Sequence, residues 1–345
     1  MSEFILRAFV PLSSMVDPNS LYPKVWYLEN FEAVRSRGQH PTHESHEILG
    51  WTHRPSLRGS DFSTNSHGLR GKREYDFEKP LAKKRVVVLG DSFSAGYGVG
   101  DEEPYSVQLE HLVPETEVLN LAVSGYGVDQ AIIRWELLGY RYEPDVVLLG
   151  IFIPDFHRNV GTWWFDAPKP RFHVKAGKLS LPNQTLPPMD DFEANEKRIR
   201  RDLESFIQRP RVLIATQYLY DRLSKKMRNS REEDSTFLEK QRILELLIKR
   251  IAEDCERRGI NLVVMTILTE FTPYPDEDRI LSTIANASLE NGVTLLNLDR
   301  FLGASARERV VEPVFDVKTG HWSAAGHRRV ALKIADFIET NNFLK

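Results

Sequence analysis

The side chains best placed to do chemistry in this 345-residue sequence are a serine and a histidine far apart in the chain. Ser92 stands in Arg85-Val-Val-Val-Leu-Gly-Asp-Ser-Phe-Ser-Ala-Gly-Tyr-Gly-Val-Gly100, and His321 in Gly320-His-Trp-Ser-Ala-Ala-Gly-His327. A free hydroxyl is a poor nucleophile at neutral pH, and an imidazole that takes its proton cures this. Together they suggest attack on an acyl carbonyl, with backbone N–H groups beside the serine receiving the developing oxyanion. Taken alone, the Ser92 stretch also reads as a plain strand-to-loop turn in which Ser92 caps a helix. Its setting argues for more than that. Val86 to Leu89 form an unbroken β-branched and aliphatic run, the pattern of a strand buried on both faces of a parallel sheet. The run stops at Gly90, so Ser92 sits just past the carboxyl end of a strand, where open α/β sheets place their ligands. His321 precedes the amphipathic segment Arg328 to Phe343, a helix that must pack on the sheet and can carry the imidazole back over Ser92.

Gly90-Asp-Ser-Phe-Ser94 and the terminal histidine block together resemble the SGNH hydrolases, also called GDSL lipases and esterases, over about residues 60–343. Asn120-Leu-Ala-Val-Ser-Gly125-Tyr-Gly is similar to that family's second block, whose glycine N–H joins the oxyanion hole. Asp145-Val-Val-Leu-Leu-Gly-Ile-Phe-Ile-Pro-Asp155 occupies the place of the third. The resemblance implies a flavodoxin-like α/β sandwich of three layers around a parallel sheet of about five strands. It also implies an esterase or O-acyltransferase acting on an ester-linked acyl group of a small molecule or carbohydrate. Ser92 is then the nucleophile, His321 the proton shuttle, and the N–H groups of Ser92 and Gly125 the oxyanion donors, with no metal and no organic cofactor. The chain lacks around Ser92 the Gly-x-Ser-x-Gly elbow of the α/β-hydrolases.

Two positions depart from the family's pattern. Its third block ends in Asn-Asp, the asparagine being a side-chain oxyanion donor, whereas here the pair is Pro154-Asp155. Proline offers neither a side-chain donor nor an N–H, so nearby Asn159 is the candidate substitute. Loss of one donor costs about two to three orders of magnitude in rate. The last block of the family has an aspartate three residues before the histidine, and here that position is Lys318. Asp316 is the nearest upstream carboxylate and is expected to orient His321 if the loop bulges; otherwise the site is a Ser–His dyad with a cation beside it. These departures keep a second expectation open: a catalytically attenuated protein of the same fold that binds an acylated or glycosylated partner. Hydrogen-bond reach between His321 and Ser92 separates the two.

The elements that must position these residues alternate from residue 85 onward. Strands are expected at 85–89, 118–121, 146–150, 262–267 and 295–298, with helices at 105–112, 130–140, 237–258, 278–289 and from about Ser323. Leu244, Leu247, Ile248 and Ile251 fall on one helical face. Such alternation predicts a parallel sheet covered on both faces. Residues 1–84 read as an N-terminal arm and loops packed on the 85–345 domain, with Gly38 to Gly71 rich in Pro, Gly, Ser, Asn and His. Asn65-Ser-His-Gly-Leu-Arg-Gly71 resembles a lead-in of bacterial SGNH proteins and is expected to pack on the core. Residues 156–232 break the alternation and are too long for a simple connection. They read as a lid-like insertion, in which Trp163-Trp164-Phe165, ahead of Pro182 and Pro187-Pro188, either meet a substrate or anchor a satellite apolar cluster.

Composition narrows the classes. The formal net charge of −3 gives no bulk electrostatic reason for a nucleic acid or an anionic membrane as partner. Cys255 is the single cysteine, which excludes an internal disulfide framework and suits a small core residue. No stretch reaches bilayer length, and Arg7 interrupts the apolar opening Phe4 to Leu12, so an arm is expected there and a cytoplasmic location by default. The oligomeric state is not readable. His40, His43 and His46, with Glu44, share a spacing of three, but Pro41 and the loop-like composition argue against a metal site. His327 is expected to serve packing, Asp91 to buttress the turn, and Tyr97-Gly-Val-Gly100 lacks the spacing of a phosphate loop.

Overall fold

A computed structural model describes residues 12, 22–38, 40–164, 166–181, 185–224, 231–267, 276–298, 313–316 and 318–344. The chain divides into two compact units. One comprises Met1–Thr52, Val160–Arg171 and Leu181–Glu239; the other comprises His53–Asn159, Phe172–Ser180 and Lys240–Lys345. The arm expected over Phe4 to Leu12 lies outside the described residues except for Leu12, as do Phe165 and Pro182.

The second unit is built on five strands: β1 (Lys84–Leu89), β2 (Thr116–Asn120), β3 (Val146–Phe152), β4 (Asn261–Ile267) and β5 (Thr294–Asn297). Their spatial order is β5-β4-β3-β1-β2 and every pairing is parallel. The order reverses between β1 and β3, the flavodoxin-like arrangement, and opens a crevice at the carboxyl ends of those two strands. Val86, Val87, Val88 and Leu89 have no exposed surface, nor have Val146 to Leu149, which explains their continuous apolar runs. Successive side chains point to opposite faces. Val86, Val88, Leu148, Val263 and Met265 join one apolar cluster with Tyr105 and Leu109 of helix α1 (Tyr105–Leu112) and with Val330, Ala331 and Ile334 of the last helix. That last helix, Ala324–Thr340, begins at a Ser323 cap whose hydroxyl accepts from the Gly326 N–H at 3.1 Å.

Helix α2 (Val128–Leu137) is shorter than the periodicity predicts. A 3₁₀ turn, Gly139–Tyr142, takes over, and its first residue is closely packed: a Cβ at Gly139 would stand 2.7 Å from the Trp135 ring. Trp135 Nε1 donates to Asp254 at 2.9 Å, and Arg250 pairs with Glu136, so the long helix Arg231–Arg258 runs beside α2 over its 240–258 portion. Its Leu244, Leu247, Ile248 and Ile251 are fully buried. Cys255 is buried there too, and burial pushes its thiol up to about 12, too protonated for redox work.

The first unit has its own core. Val25, Tyr27, Phe31, Val34, Trp163, Ile199, Leu203 and Ile214 pack together, with Tyr27 and Trp163 edge to face at 5.2 Å. Trp163, 3% exposed, is thus an anchor of an apolar cluster rather than a surface for substrate. The loop-like stretch after Gly38 holds a small hairpin, His43–His46 with Gly50–His53. No helix among the described residues is long and apolar enough to cross a membrane.

Candidate active site

Gly90 turns the chain out of β1 with φ 146°, a conformation that L side chains rarely adopt. A Cβ there would also stand 2.6 Å from Ser94 Oγ and 3.0 Å from the Gly150 carbonyl oxygen. Asp91 follows as an extended N-cap whose carboxylate accepts from the Phe93 N–H at 3.0 Å. The single turn Ser92–Ala95 then closes on Gly96, left-handed at φ 75°. Phe93, Ser94 and Ala95 are buried beneath it, and Ser92 is left half-buried at the mouth.

Two neighbouring segments lock that turn. Asn120, at the end of β2, donates from Nδ2 to the Ser94 carbonyl at 2.8 Å and to Ser106 Oγ at 2.9 Å. Its Oδ1 accepts from the Ala122 N–H at 3.1 Å, which ties the Ser92 turn to the loop carrying Gly125, a half-exposed residue at φ 84°. From the lead-in segment, buried Arg70 donates to the carbonyls of Ala95 (3.2 Å) and Val99 (3.1 Å) and pairs with Asp101. Arg70 therefore braces the glycine-rich loop that presents Tyr97, 48% exposed, beside the site.

His321 arrives on a narrow loop. Phe315 bridges Trp322, the Asp316 N–H donates to the His321 carbonyl at 2.8 Å, and Gly320, at φ 70°, donates back to the Asp316 carbonyl. Buried Trp322 packs on Phe93 at 5.2 Å, while the imidazole stacks on Phe93 at 4.6 Å and leans on Tyr97 at 5.0 Å. In this setting His321 Nε2 lies 2.8 Å from Ser92 Oγ. Its Nδ1 lies 2.9 Å from the Thr319 carbonyl oxygen. A carbonyl can only accept, so Nδ1 carries the proton and Nε2 is left as the acceptor for the serine hydroxyl. That is the tautomer a general base needs.

Of the residues singled out from sequence, Ser92 and His321 are brought together, and Asp316 is not on the imidazole. Asp316 Oδ1 accepts from the N–H groups of Lys318 and Thr319, both at 2.9 Å. These bonds hold its carboxyl below the usual carboxylate range. The physical reason is local: the carboxylate lies within reach of the loop's own N–H groups and closes the turn, which leaves the Thr319 carbonyl facing Nδ1. Asn159 has no exposed surface; its Oδ1 accepts from the Asp129 N–H at 3.3 Å at the start of α2, while its buried Nδ2, the group an oxyanion would need, has no hydrogen-bond partner among the described residues. The loop that carries Gly125 is tied to the Ser92 turn by the Val123 N–H, which donates to the Gly90 carbonyl at 3.1 Å. His327 is fully buried against Tyr105, whose N–H donates to its Nδ1 at 3.2 Å, and burial pushes its pKa down to about 3.

Sequence reasoning missed the Thr319 carbonyl, since any residue type carries one and no pattern marks it. It also missed Arg158, at the end of the turn Asp155–Arg158 that follows β3. Arg158 Nη1 donates to Asp155 Oδ1 (2.6 Å), to the Tyr126 carbonyl (3.1 Å) and to Asp91 Oδ2 (3.3 Å). Burial raises the Asp155 carboxyl well above the ordinary range, with Asp91 and Asp129 adding to that and Arg158 opposing it. Among the described residues no group of three His, Cys, Asp or Glu side chains could hold a metal ion. His40 and His43 touch ring to ring, Nδ1 to Nδ1 at 3.0 Å, and His46 Nδ1 accepts from the N–H groups of Ile48 and Leu49.

The sequence matches no model of a known protein family and no curated protein. Among solved structures, the chain is similar to the psychrotrophic esterase EstA of Pseudoalteromonas sp., at 14% identity and a TM-score of 0.43, over 75% of this chain and 98% of that one. It is similar to the acetylxylan esterase Axe2 of Geobacillus stearothermophilus, at 14% identity and a TM-score of 0.42, over 75% and 95%. A proposed lipolytic protein of the G-D-S-L family from Desulfitobacterium hafniense matches at 12% identity and a TM-score of 0.41, over 74% and 99%.

Proposed function

We propose that this protein is a serine hydrolase of the SGNH type that cleaves or transfers an ester-linked acyl group. The observation that carries the reading is the 2.8 Å contact between Ser92 Oγ and His321 Nε2, with Nδ1 tied to a carbonyl. Ser92 Oγ attacks the acyl carbonyl as its proton passes to His321 Nε2. The oxyanion is received by the N–H of Ser92, unclaimed at the first position of its helical turn, and by the N–H of Gly125. Collapse expels the alcohol, which takes the proton back from Nε2, and leaves an acyl group on Ser92. Water or an acceptor alcohol then attacks that acyl group, again giving up its proton to Nε2; collapse breaks the bond to Ser92 Oγ, which takes the proton back from Nε2, and the acid or new ester leaves. The residues that do this form a dyad: the Thr319 carbonyl fixes the imidazole's tautomer and supplies no full negative charge. Two backbone oxyanion donors act, and the Asn159 amide, whose buried Nδ2 has no partner among the described residues, is the candidate third.

A small-molecule or carbohydrate ester is the substrate class this reading favours, and a panel of acyl esters graded by chain length and by alcohol tests it. The primary experiment is labelling of the protein with a fluorophosphonate probe, repeated on Ser92→Ala and His321→Ala. Labelling in the native protein and none in Ser92→Ala supports the proposal. A native protein that never labels, or a Ser92→Ala variant that still does, moves the balance to the binding protein of the same fold. The contact distance of 2.8 Å speaks for catalysis over that alternative.

A further inference from the structure

Behind the nucleophile lies a buried electrostatic cluster that the acyl-transfer steps do not use. Asp91 has no exposed surface, and its Oδ2 stands 3.4 Å from Ser92 Oγ as well as 3.3 Å from Arg158 Nη1. Asp155, also buried, is the second carboxyl on that guanidinium, at 2.6 Å, and buried Asp129 lies near enough to Asp155 to raise its carboxyl. A buried carboxylate persists as a charge only when paired. Arg158 Nη1 serves both Asp155 Oδ1, at 2.6 Å, and Asp91 Oδ2, at 3.3 Å, and burial raises the Asp155 carboxyl against that pairing. Arg158 is the cation paired with Asp91.

That pairing matters to Ser92. An uncompensated Asp91 would compete with His321 Nε2 for the serine hydroxyl proton, since both stand within reach of Oγ. It would also oppose the negative charge that grows on the oxyanion, in a site where charge is poorly screened. We propose that Arg158 is a positioning residue for the nucleophile: by clamping Asp91 Oδ2 it neutralises that carboxylate and leaves the Ser92 proton to His321. The proposal rests on the Ser92–His321 reading and adds to it a residue outside the reacting atoms.

The charged and titratable groups facing the imidazole are Tyr97 and Asp91 from the strand-to-helix turn, and Arg158 with Asp155 and Asp129 behind it. His327 faces it from the last helix, and Asp316 and Lys318 from its own loop. Chained contacts put Arg158 Nη1 within about 10 Å of His321 Nε2, where removing one charge at an effective dielectric of about 20 moves an imidazole titration by about one pH unit. The experiment is an NMR titration of ¹³C-labelled histidines, with His321 assigned by its loss in His321→Asn, alongside kcat/KM–pH profiles on an aryl ester.

Arg158→Gln is expected to raise the His321 midpoint by about one pH unit, to move the acidic limb of the profile with it, and to lower kcat roughly 10- to 100-fold with little change in KM. Arg158→Lys, which keeps the charge, is expected to stay near the native midpoint. Arg158→Gln combined with Asp91→Asn is expected to bring the midpoint back, because asparagine still caps the Phe93 N–H without the charge. Where Arg158→Gln does not fold, Asp91→Asn alone decides: it removes the negative charge nearest Ser92 Oγ and keeps that of Arg158, and is expected to lower the midpoint. An unmoved midpoint in Arg158→Gln or in Asp91→Asn overturns the proposal, as does a double variant that keeps the full shift. A native protein inert to fluorophosphonate would sink the hydrolase reading, while the titration would still report whether Arg158 couples to His321.

Discussion

Replacing Asp316 by asparagine tests what holds the His321 imidazole in the proposed dyad. Were its carboxylate the partner of His321, this change would leave the ring in the wrong tautomer and cost about 10⁴ in rate. The structure leads to a different magnitude. Asp316 Oδ1 works on the backbone, accepting at 2.9 Å from Lys318 and at 2.9 Å from Thr319. An asparagine oxygen in the same place accepts both N–H groups, so the loop keeps its shape and the Thr319 carbonyl stays 2.9 Å from Nδ1. Asp316→Asn is therefore expected to fall within about threefold of the native kcat/KM, because the tautomer is untouched. Asp316→Ala removes both acceptors and frees the loop, and is expected to lose about tenfold through misplacement of the imidazole. The assay is kcat/KM on an aryl acetate, with the rate of fluorophosphonate labelling as a check that does not depend on substrate binding. A loss beyond a hundredfold in Asp316→Asn, at an unchanged melting temperature, would refute this account and restore a Ser–His–Asp triad. Lys318→Asp exchanges a cation for a carboxylate three residues before His321 and is expected to raise kcat/KM, since the imidazolium formed in the reaction gains a counter-charge.

Burial holds His327 neutral down to about pH 3, whereas an unfolded chain protonates it near 6.5. The unfolded state thus binds the extra proton between those values, and stability present above about 6.5 is lost as the pH falls; about 2 kcal/mol goes by pH 5. Urea midpoints at pH 7 and 5 should draw together in His327→Gln, and an unchanged gap would contradict the assignment. In Gly326→Ala the new Cβ would stand 2.2 Å from the Val314 carbonyl oxygen and 3.1 Å from Trp322 Cβ. A loss of about 2–4 kcal/mol by denaturant titration is expected, with slower labelling because these residues frame the His321 loop. Asn120→Leu leaves the Ser94 carbonyl, Ser106 Oγ and the Ala122 N–H short of a partner. It should cost about 2–4 kcal/mol by the same measurement, and a neutral result would show that water replaces the amide.

The sequence by itself determined the sheet. Continuous apolar runs such as Val86–Leu89 and Val146–Leu149 can be buried only between two layers of helices, so a parallel, doubly covered sheet follows from local pattern alone. It also determined where Ser92 stands, because Gly90 and the Asp91 cap specify the turn through backbone conformation and a two-residue hydrogen bond. Element ends were less legible: α2 gives way to a 3₁₀ turn at Gly139, where the periodicity predicts continued helix. Only the tertiary structure decided who touches His321 and Asp91. The Asp316 loop spends its carboxylate on its own N–H groups and hands the imidazole a carbonyl, a group every residue carries and no motif can flag. Arg158 reaches Asp91 across the carboxyl ends of two neighbouring strands, and that meeting depends on strand order and on the cost of leaving a buried charge unpaired. Spacing fixes what lies within a turn or two; partners drawn from distant segments are fixed by packing.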